Sequence, residues 1–363
     1  MLSGTNPLVA TETTSNPVVG AGDLVRKSRV QVVSRGIPLA LLFGAAVSAL
    51  LAAWGDAPAV ARALSGFPPA LVVPVLLLTL WNYALRWLKW QFYLRVLGVT
   101  ALRPSDSALV FLSGFAMGLT PGKAGELAKS YWLRALAGAD QAPFARTAPI
   151  VFAERLTDGI AMLLLASAGL AAFQFGAPAL LAVAALAAAA VAGVQARPLA
   201  HAVLRVLERV PALRRLAAAA ETAYDSAREL LTWRRLTLAV ALGTVSWAGE
   251  CLALYLIVLG LGAPPSLELL NQATFALATA TLVGSASLLP GGLGASEGAV
   301  AAILQAVAGQ PREVAVAATL LIRACTLWFG VALGAAALPL LARRTVGGVT
   351  NPRGSEPPPS PGC

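Results

Sequence analysis

The stretch Thr120-Pro-Gly-Lys-Ala-Gly-Glu126 has a counterpart about 170 residues later in Leu289-Pro-Gly-Gly-Leu-Gly-Ala-Ser-Glu297, and each copy ends a short apolar run. Both copies hold Pro-Gly-x-x-Gly. Proline and glycine break helices, and broken backbone at bilayer depth persists only where protein or a water-filled cavity satisfies it. Paired interruptions in two halves of a membrane chain therefore point to a binding site between duplicated, transporter-like units.

The rest of the chain supplies the membrane setting. Hydrophobic residues fill 58% of the 363 positions and charged residues only 12%, with a mean hydropathy of +0.74. Soluble domains carry charge at about a quarter of positions. The formal charge of +10 does not mark a nucleic-acid partner, because the lysines and arginines gather between the apolar runs. A single histidine, His201, and three scattered cysteines, Cys251, Cys325 and Cys363, argue against a metal site or histidine-centred hydrolysis. No cofactor is expected, and no Gly-x-x-x-x-Gly-Lys-Ser/Thr motif for ATP occurs.

Six apolar runs reach roughly the 20 residues that cross a hydrocarbon core of about 30 Å. They lie at about 36–54, 69–88, 150–175, 177–196, 236–259 and 314–341. Two further runs, roughly 107–120 and 271–289, end at the Pro-Gly elements and read as re-entrant. With the N-terminus inside, 23 of the 27 lysines and arginines fall in cytoplasmic connections, Arg86, Lys89 and Lys129 being counted there. The two re-entrant elements then enter from opposite faces. The expected fold is an all-α polytopic membrane protein of about six transmembrane helices plus two re-entrant helical elements in a 3+3 inverted repeat. Residues 1–35 read as a disordered basic tail and 344–363 as a disordered Pro-rich tail. Between them, the transmembrane domain at 36–343 divides into repeat one at about 36–175 and repeat two at about 177–343. An amphipathic linker, 197–235, is expected on the inner leaflet. The placement that follows is the cell inner membrane, with both termini cytoplasmic.

An ionisable group at a helix centre costs about 2.5 to 3.5 kcal/mol on insertion scales and needs a partner or water. On that ground Lys123, Glu126, Arg155, Glu297 and Arg323 are the candidate substrate contacts. Pro121, Gly122, Gly125, Glu154, Asp158, Glu250, Pro290, Gly291, Gly292 and Gly294 are their supports, and no residue is assigned a catalytic role. Arg155 lies 34 residues after Pro121 and Arg323 lies 33 after Pro290. Glu154 and Asp158 share a helix face with Arg155 beside them, which reads either as a salt-bridged interfacial cap or as part of a site. Arg323 sits in apolar sequence and requires an anion: Glu297, Glu250 or a substrate phosphate. Helix N-termini expected around Ala124 and Ala295 would favour phosphate. Trp81, Tyr83, Trp87, Trp90 and Trp233 read as interface anchors, and Arg86, in a polar stripe with Asn82, as snorkelling to the inner surface.

Asn82-Tyr-Ala-Leu-Arg86-Trp87, Thr120-Pro-Gly-Lys-Ala-Gly-Glu126, Glu154-Arg-Leu-Thr-Asp158, Pro290-Gly-Gly-Leu-Gly294 with Glu297, and Arg323 together resemble a flippase-like membrane domain. That domain stands at the N-terminus of lysylphosphatidylglycerol synthetases, the multiple peptide resistance factors, and also occurs alone; the likeness covers about residues 36 to 343. In fused members it is credited with moving an aminoacylated phospholipid between leaflets, while a separate soluble domain performs synthesis. About twenty residues follow Arg344, so the resemblance implies a non-enzymatic transporter of a phosphate-bearing lipid or lipid-linked precursor. Arg155 with Lys123 would receive the head group on the cytoplasmic side and Arg323 would hold it on the outer side, with Glu126 and Glu297 as balance or gate. Three other readings stay open: an ion-coupled carrier of a small anion, a non-catalytic membrane partner of a lipid-modifying glycosyl- or aminoacyl-transferase, and an intramembrane enzyme. The expected partners are a membrane phospholipid, such a transferase and a second copy of the chain, with no nucleic acid.

Overall fold

The computed structural model describes residues 41–120, 125–169, 177–198 and 214–349. Helix α1 (Leu41–Trp54) turns through 101° into α2 (Ala57–Ser65). Then follow α3 (Val72–Val96), α4 (Pro104–Met117), α5 (Ala128–Ala137) and α6 (Pro149–Gly169). The second half holds α7 (Ala177–Gln195), α8 (Arg214–Leu230), α9 (Trp233–Gly260), α10 (Leu267–Ala286) and α11 (Ala295–Ala306). After α12 (Arg312–Arg323), a π-helical turn at Ala324–Trp328 leads into α13 (Phe329–Val349). No strand occurs among the described residues.

Local chemistry sets the ends of these helices. Pro104 opens α4, where its missing N–H costs nothing. At the start of α10 the Ser266 hydroxyl accepts the Leu269 N–H at 3.0 Å. Helices α3 and α9 stop in the same way. Leu97, Gly98 and Val99 donate their N–H groups to the carbonyls of Tyr93, Arg95 and Leu94; Leu261, Gly262 and Ala263 donate theirs to Ile257, Leu259 and Val258. Gly98 and Gly262 stand at φ 75° and 102°, backbone that favours glycine. The two caps are offset by 164 positions, which is also the separation of Ser246 and Asn82, whose hydroxyl-to-carbonyl hydrogen bond of 3.0 Å joins the same two helices.

Packing exchanges elements between the halves. Helix α3 lies along α9; α4 packs on α13, as α10 packs on α6; α2 packs on α12, as α8 packs on α6. One apolar core, with Leu254, Ile257, Ala276 and Ile322, unites α9, α10 and α12. Another, with Tyr93, Phe111, Ile150 and Leu341, unites α3, α4, α6 and α13. The outer surface reverses the soluble pattern: on α3, Val73, Leu77, Trp81 and Leu88 are exposed while Asn82 and Lys89 are buried. Apolar outside with polar inside suits a lipid solvent. Three helices, Pro69–Val96, Trp233–Gly260 and Arg312–Thr345, are long and apolar enough to cross a membrane, and the bent pair α1–α2 makes a fourth candidate. The chain is an all-α, multi-pass membrane protein.

Several expectations change. The run placed at 271–289 is α10, which starts earlier at its Ser266 cap and ends at Ala286, and the run placed at 107–120 is α4. Helix α13 continues to Val349, past the boundary expected at 343. The basic tail at 1–35, and the Pro-rich tail beyond Val349, lie outside the described residues. Of the linker, α8 buries Ala217, Ser226, Ala227 and Leu230 on the face that packs on α6. Trp81 and Trp233 are exposed, as anchors should be, whereas Tyr83 and Trp90 are core residues. They lie on the stripe of α3 that faces the bundle, where the Tyr83 hydroxyl finds the Thr326 carbonyl and the Trp90 N–H finds the Ser107 hydroxyl.

Candidate functional site

Polar residues that α3 turns inward meet α6, α9 and α12 around a cavity of about 140 Å³. Tyr83, Arg86, Glu126, Arg155, Glu250 and Arg323 line it. Three arginines thus face one chamber, each held differently.

Arg155, on α6, gives Nη2 to both carboxylate oxygens of Glu126 at 2.7 and 2.6 Å, while its buried Nε has no acceptor among the described residues. Arg323, at the end of α12, gives Nε to Glu297 Oε1 at 2.6 Å and Nη2 to the Gly291 carbonyl at 3.0 Å. In each half, a glutamate just after the Pro-Gly break is bonded to an arginine on a following helix. Arg86 is the least restrained: its guanidinium lies 3.7 Å from Asp158 and beside the Phe115 and Trp247 rings at 5.6 and 5.4 Å. It makes no hydrogen bond among the described residues, and π faces replace part of the hydration it loses.

The remaining buried charges form a second layer away from the chamber. Lys89 is bonded to Asp158 and to the Thr157 hydroxyl. Lys129 bonds Glu154 at 2.6 Å, approaches Glu126 at 3.9 Å and sits over the Trp90 ring. Glu154-Arg-Leu-Thr-Asp158 lies within α6, and each of its charges reaches a partner on another element. Arg86 turns into the bundle, and Lys89 and Lys129 stand on helices, each within reach of a buried carboxylate.

The breaks also differ from expectation. Residues 121–124 lie outside the described residues, so Pro121, Gly122 and Lys123 have no place in this geometry. The helix after the first break begins at Ala128, following a single tight turn, instead of near Ala124. Gly125 donates its N–H to the Thr120 hydroxyl at 2.7 Å, and a Cβ there would meet the Met117 carbonyl at 2.6 Å. After the second break α11 does begin at Ala295, and Pro290–Gly292 forms one 3-10 turn with Gly291, Gly292 and Gly294 all at positive φ. The N-terminus is already engaged, however. Glu297 Oε2 accepts the Gly294 N–H at 2.7 Å, so the carboxylate stands where a phosphate was expected.

Arg86 of the chamber lining, and Lys89 and Lys129 of the layer beside it, were missed among the candidate residues. Asn82, Arg86, Lys89 and Tyr93 recur at helical spacing on one face of an otherwise apolar helix, and that stripe was the available signal. Beside the chamber, a second cavity of about 270 Å³ shares Arg155, Trp247, Thr281 and Ser285 with it and ends at Leu288 and Leu289, both exposed. Among the described residues no group of three or more histidine, cysteine or carboxylate side chains gathers as a metal site.

Comparison with known proteins adds a family. Residues 41–334 match the family model described as the lysylphosphatidylglycerol synthase TM region. Over 93 residues the chain is 39% identical to a "UPF0104 membrane protein" of Methanothermobacter thermautotrophicus (strain Delta H). That alignment covers 26% of this chain and 26% of the relative, about a quarter of each.

Proposed function

The chain belongs to the lysylphosphatidylglycerol synthase transmembrane-region family, and from that membership and the charged chamber we propose that it moves a phosphate-bearing lipid or lipid-linked precursor between leaflets. Family and fold fit a lipid-handling membrane role, and the match is to a transmembrane region, not to a synthetase domain. The observation that carries the proposal is the junction of the two cavities. A cationic chamber suited to a phosphate opens, across Arg155 and Trp247, into a side cavity lined by Met162 and Leu282 and ending at exposed leucines. A soluble anion needs the first compartment only, whereas an amphiphile needs both.

Arg86 is the primary phosphate ligand in this reading, since no hydrogen bond must be broken before it binds. Unused donors on Arg155 Nε and Trp247 Nε1 add to it. Arg155–Glu126 and Arg323–Glu297 serve as exchangeable pairs, each able to pass its arginine to the head group. The exchanged packing of α4 with α13 and α10 with α6, together with the matched ends of α3 and α9, supports a 3+3 inverted repeat of about six spans. The gathering of lysines and arginines in one set of connections supports a cytoplasmic placement of both termini. In this reading a lipid-modifying enzyme supplies or consumes the lipid.

The test is reconstitution into phosphatidylcholine vesicles with fluorescent phosphatidylglycerol or an uncharged fluorescent glycolipid, followed by quenching of the outer leaflet. Selective movement of the anionic lipid is expected. Equal movement of both, or uptake of inorganic phosphate without lipid movement, would overturn the proposal, the latter in favour of a small-anion carrier.

A further inference from the structure

We propose that Glu250 is a proton-carrying site that couples translocation to the proton gradient, a proton travelling with each negative charge of the head group. This deepens the lipid-translocation reading and rests on it.

Glu250 differs from every other buried carboxylate. Glu126, Glu154, Asp158 and Glu297 each lie within an ion pair. Glu250 is 5% exposed on α9, lines the chamber, and forms no ion pair or hydrogen bond among the described residues. Its position is registered by the matched helices. Glu250 lies 164 residues after Arg86, the offset of the two helix ends and of the Ser246–Asn82 crossing bond. At corresponding places on the two central helices the chamber therefore has a fixed cation on one side and a titratable anion on the other.

The surroundings leave Glu250 as the group able to change charge. From α3 it faces Arg86 and the Tyr83 hydroxyl, from α12 Arg323, from α6 Asp158 and Arg155, and across the chamber Glu126. Helix α10 presents Leu277, Thr281, Gly284 and Ser285 to the chamber, and α11 presents Ser296 and Val300, none of which titrates. The arginines stay charged. Asp158 is held by Lys89 as well as Arg86.

Charge balance then links the two ligands. The described cluster sets Arg86, Lys89, Lys129, Arg155 and Arg323 against Glu126, Glu154, Asp158, Glu250 and Glu297. With Glu250 ionised the cluster is neutral and empty. A phosphodiester that enters brings an unmatched negative charge, which is costly in a low-dielectric interior. Hydronium reaching the chamber gives up a proton, its O–H bond breaking as one forms on the Glu250 carboxylate, and the departing water leaves the cluster neutral around a phosphate held by Arg86. No bond in the lipid changes, and on release the same O–H bond breaks and the proton leaves with the head group. Neutral-empty and neutral-loaded are the two states able to reorient, so the lipid is driven toward the alkaline leaflet.

Titration calorimetry of the full chain in detergent tests this, using short-chain phosphatidylglycerol, whose phosphodiester does not titrate near neutral pH, in buffers of different ionisation heat. Wild type should take up on the order of one proton per lipid bound, Glu250→Gln close to none, and Glu250→Asp most of the wild-type value. In vesicles, wild type should concentrate fluorescent phosphatidylglycerol in the alkaline leaflet. Binding with no proton uptake in wild type, or full uptake by Glu250→Gln, would overturn the coupling while leaving translocation standing; absence of any binding would remove both.

Discussion

Arg323 Nε meets Glu297 Oε1 at 2.6 Å while the other oxygen of Glu297 caps the Gly294 N–H at 2.7 Å. One carboxylate therefore ties the second chain break to the following helix. The guanidinium completes the tie through its bond to the Gly291 carbonyl. Such a pair both orders irregular backbone and stores an arginine that a phosphate could claim.

Replacement of Arg323 by Gln should strand the Glu297 carboxylate, which is 4% exposed, and lower unfolding free energy by about 3 to 5 kcal/mol. The double variant with Glu297→Gln should regain most of it. Thermal unfolding in detergent reads both, and a single variant as stable as wild type would show that the pair bears no weight.

Lys129→Met should be destabilising to a similar degree, about 3 to 5 kcal/mol, because Lys129 and Glu154 are both buried beneath the chamber. Head-group selectivity of the remaining folded protein should be unchanged. A shift in selectivity at full stability would move Lys129 from the supporting layer into the site.

For Arg86 the expectation is reversed. Its guanidinium makes no hydrogen bond among the described residues, so Arg86→Gln should leave the unfolding temperature near wild type. Movement of anionic lipid should fall at least tenfold, about 1.4 kcal/mol in the barrier. Arg86→Lys should recover part, since an ammonium cannot bind phosphate through a planar fork. Wild-type rates in Arg86→Gln vesicles would rule it out as the primary ligand.

Two glycines separate backbone need from helix propensity. Gly292 stands at φ 69° with Gly284 Cα only 3.1 Å from where a Cβ would lie. Gly292→Ala should cost at least about 1 to 2 kcal/mol. Gly298, exposed on α11 with open space at its Cβ position, should accept alanine and gain up to about 1 kcal/mol. Equal stabilities by unfolding would contradict the geometry of the break.

The sequence made the apolar helices and the second break readable because Pro290, Gly291, Gly292 and Gly294 impose backbone that few other residues accept. It also exposed Arg155 and Arg323, whose charge interrupts apolar runs. Lys89 and Lys129 escaped, since a lysine near the end of a membrane helix looks the same in sequence whether it reaches outward to water or inward to Asp158 or Glu154. That choice is made by tertiary neighbours more than 20 positions away. Arg86 was misread for the same reason. The partner of Arg323 was left open among Glu297, Glu250 and a substrate phosphate, and three-dimensional packing pairs it with Glu297.

The exchange of helices between halves has a consequence for how the chain could be made. Helix α4 finds its main partner in α13, and α10 finds its own in α6, so neither half can complete itself. A polypeptide ending after Gln195 and another beginning at Arg214 should each be short-lived alone and persist when produced together. Two separately encoded subunits would then rebuild one chamber, with Arg86 contributed by the first and Glu250 by the second.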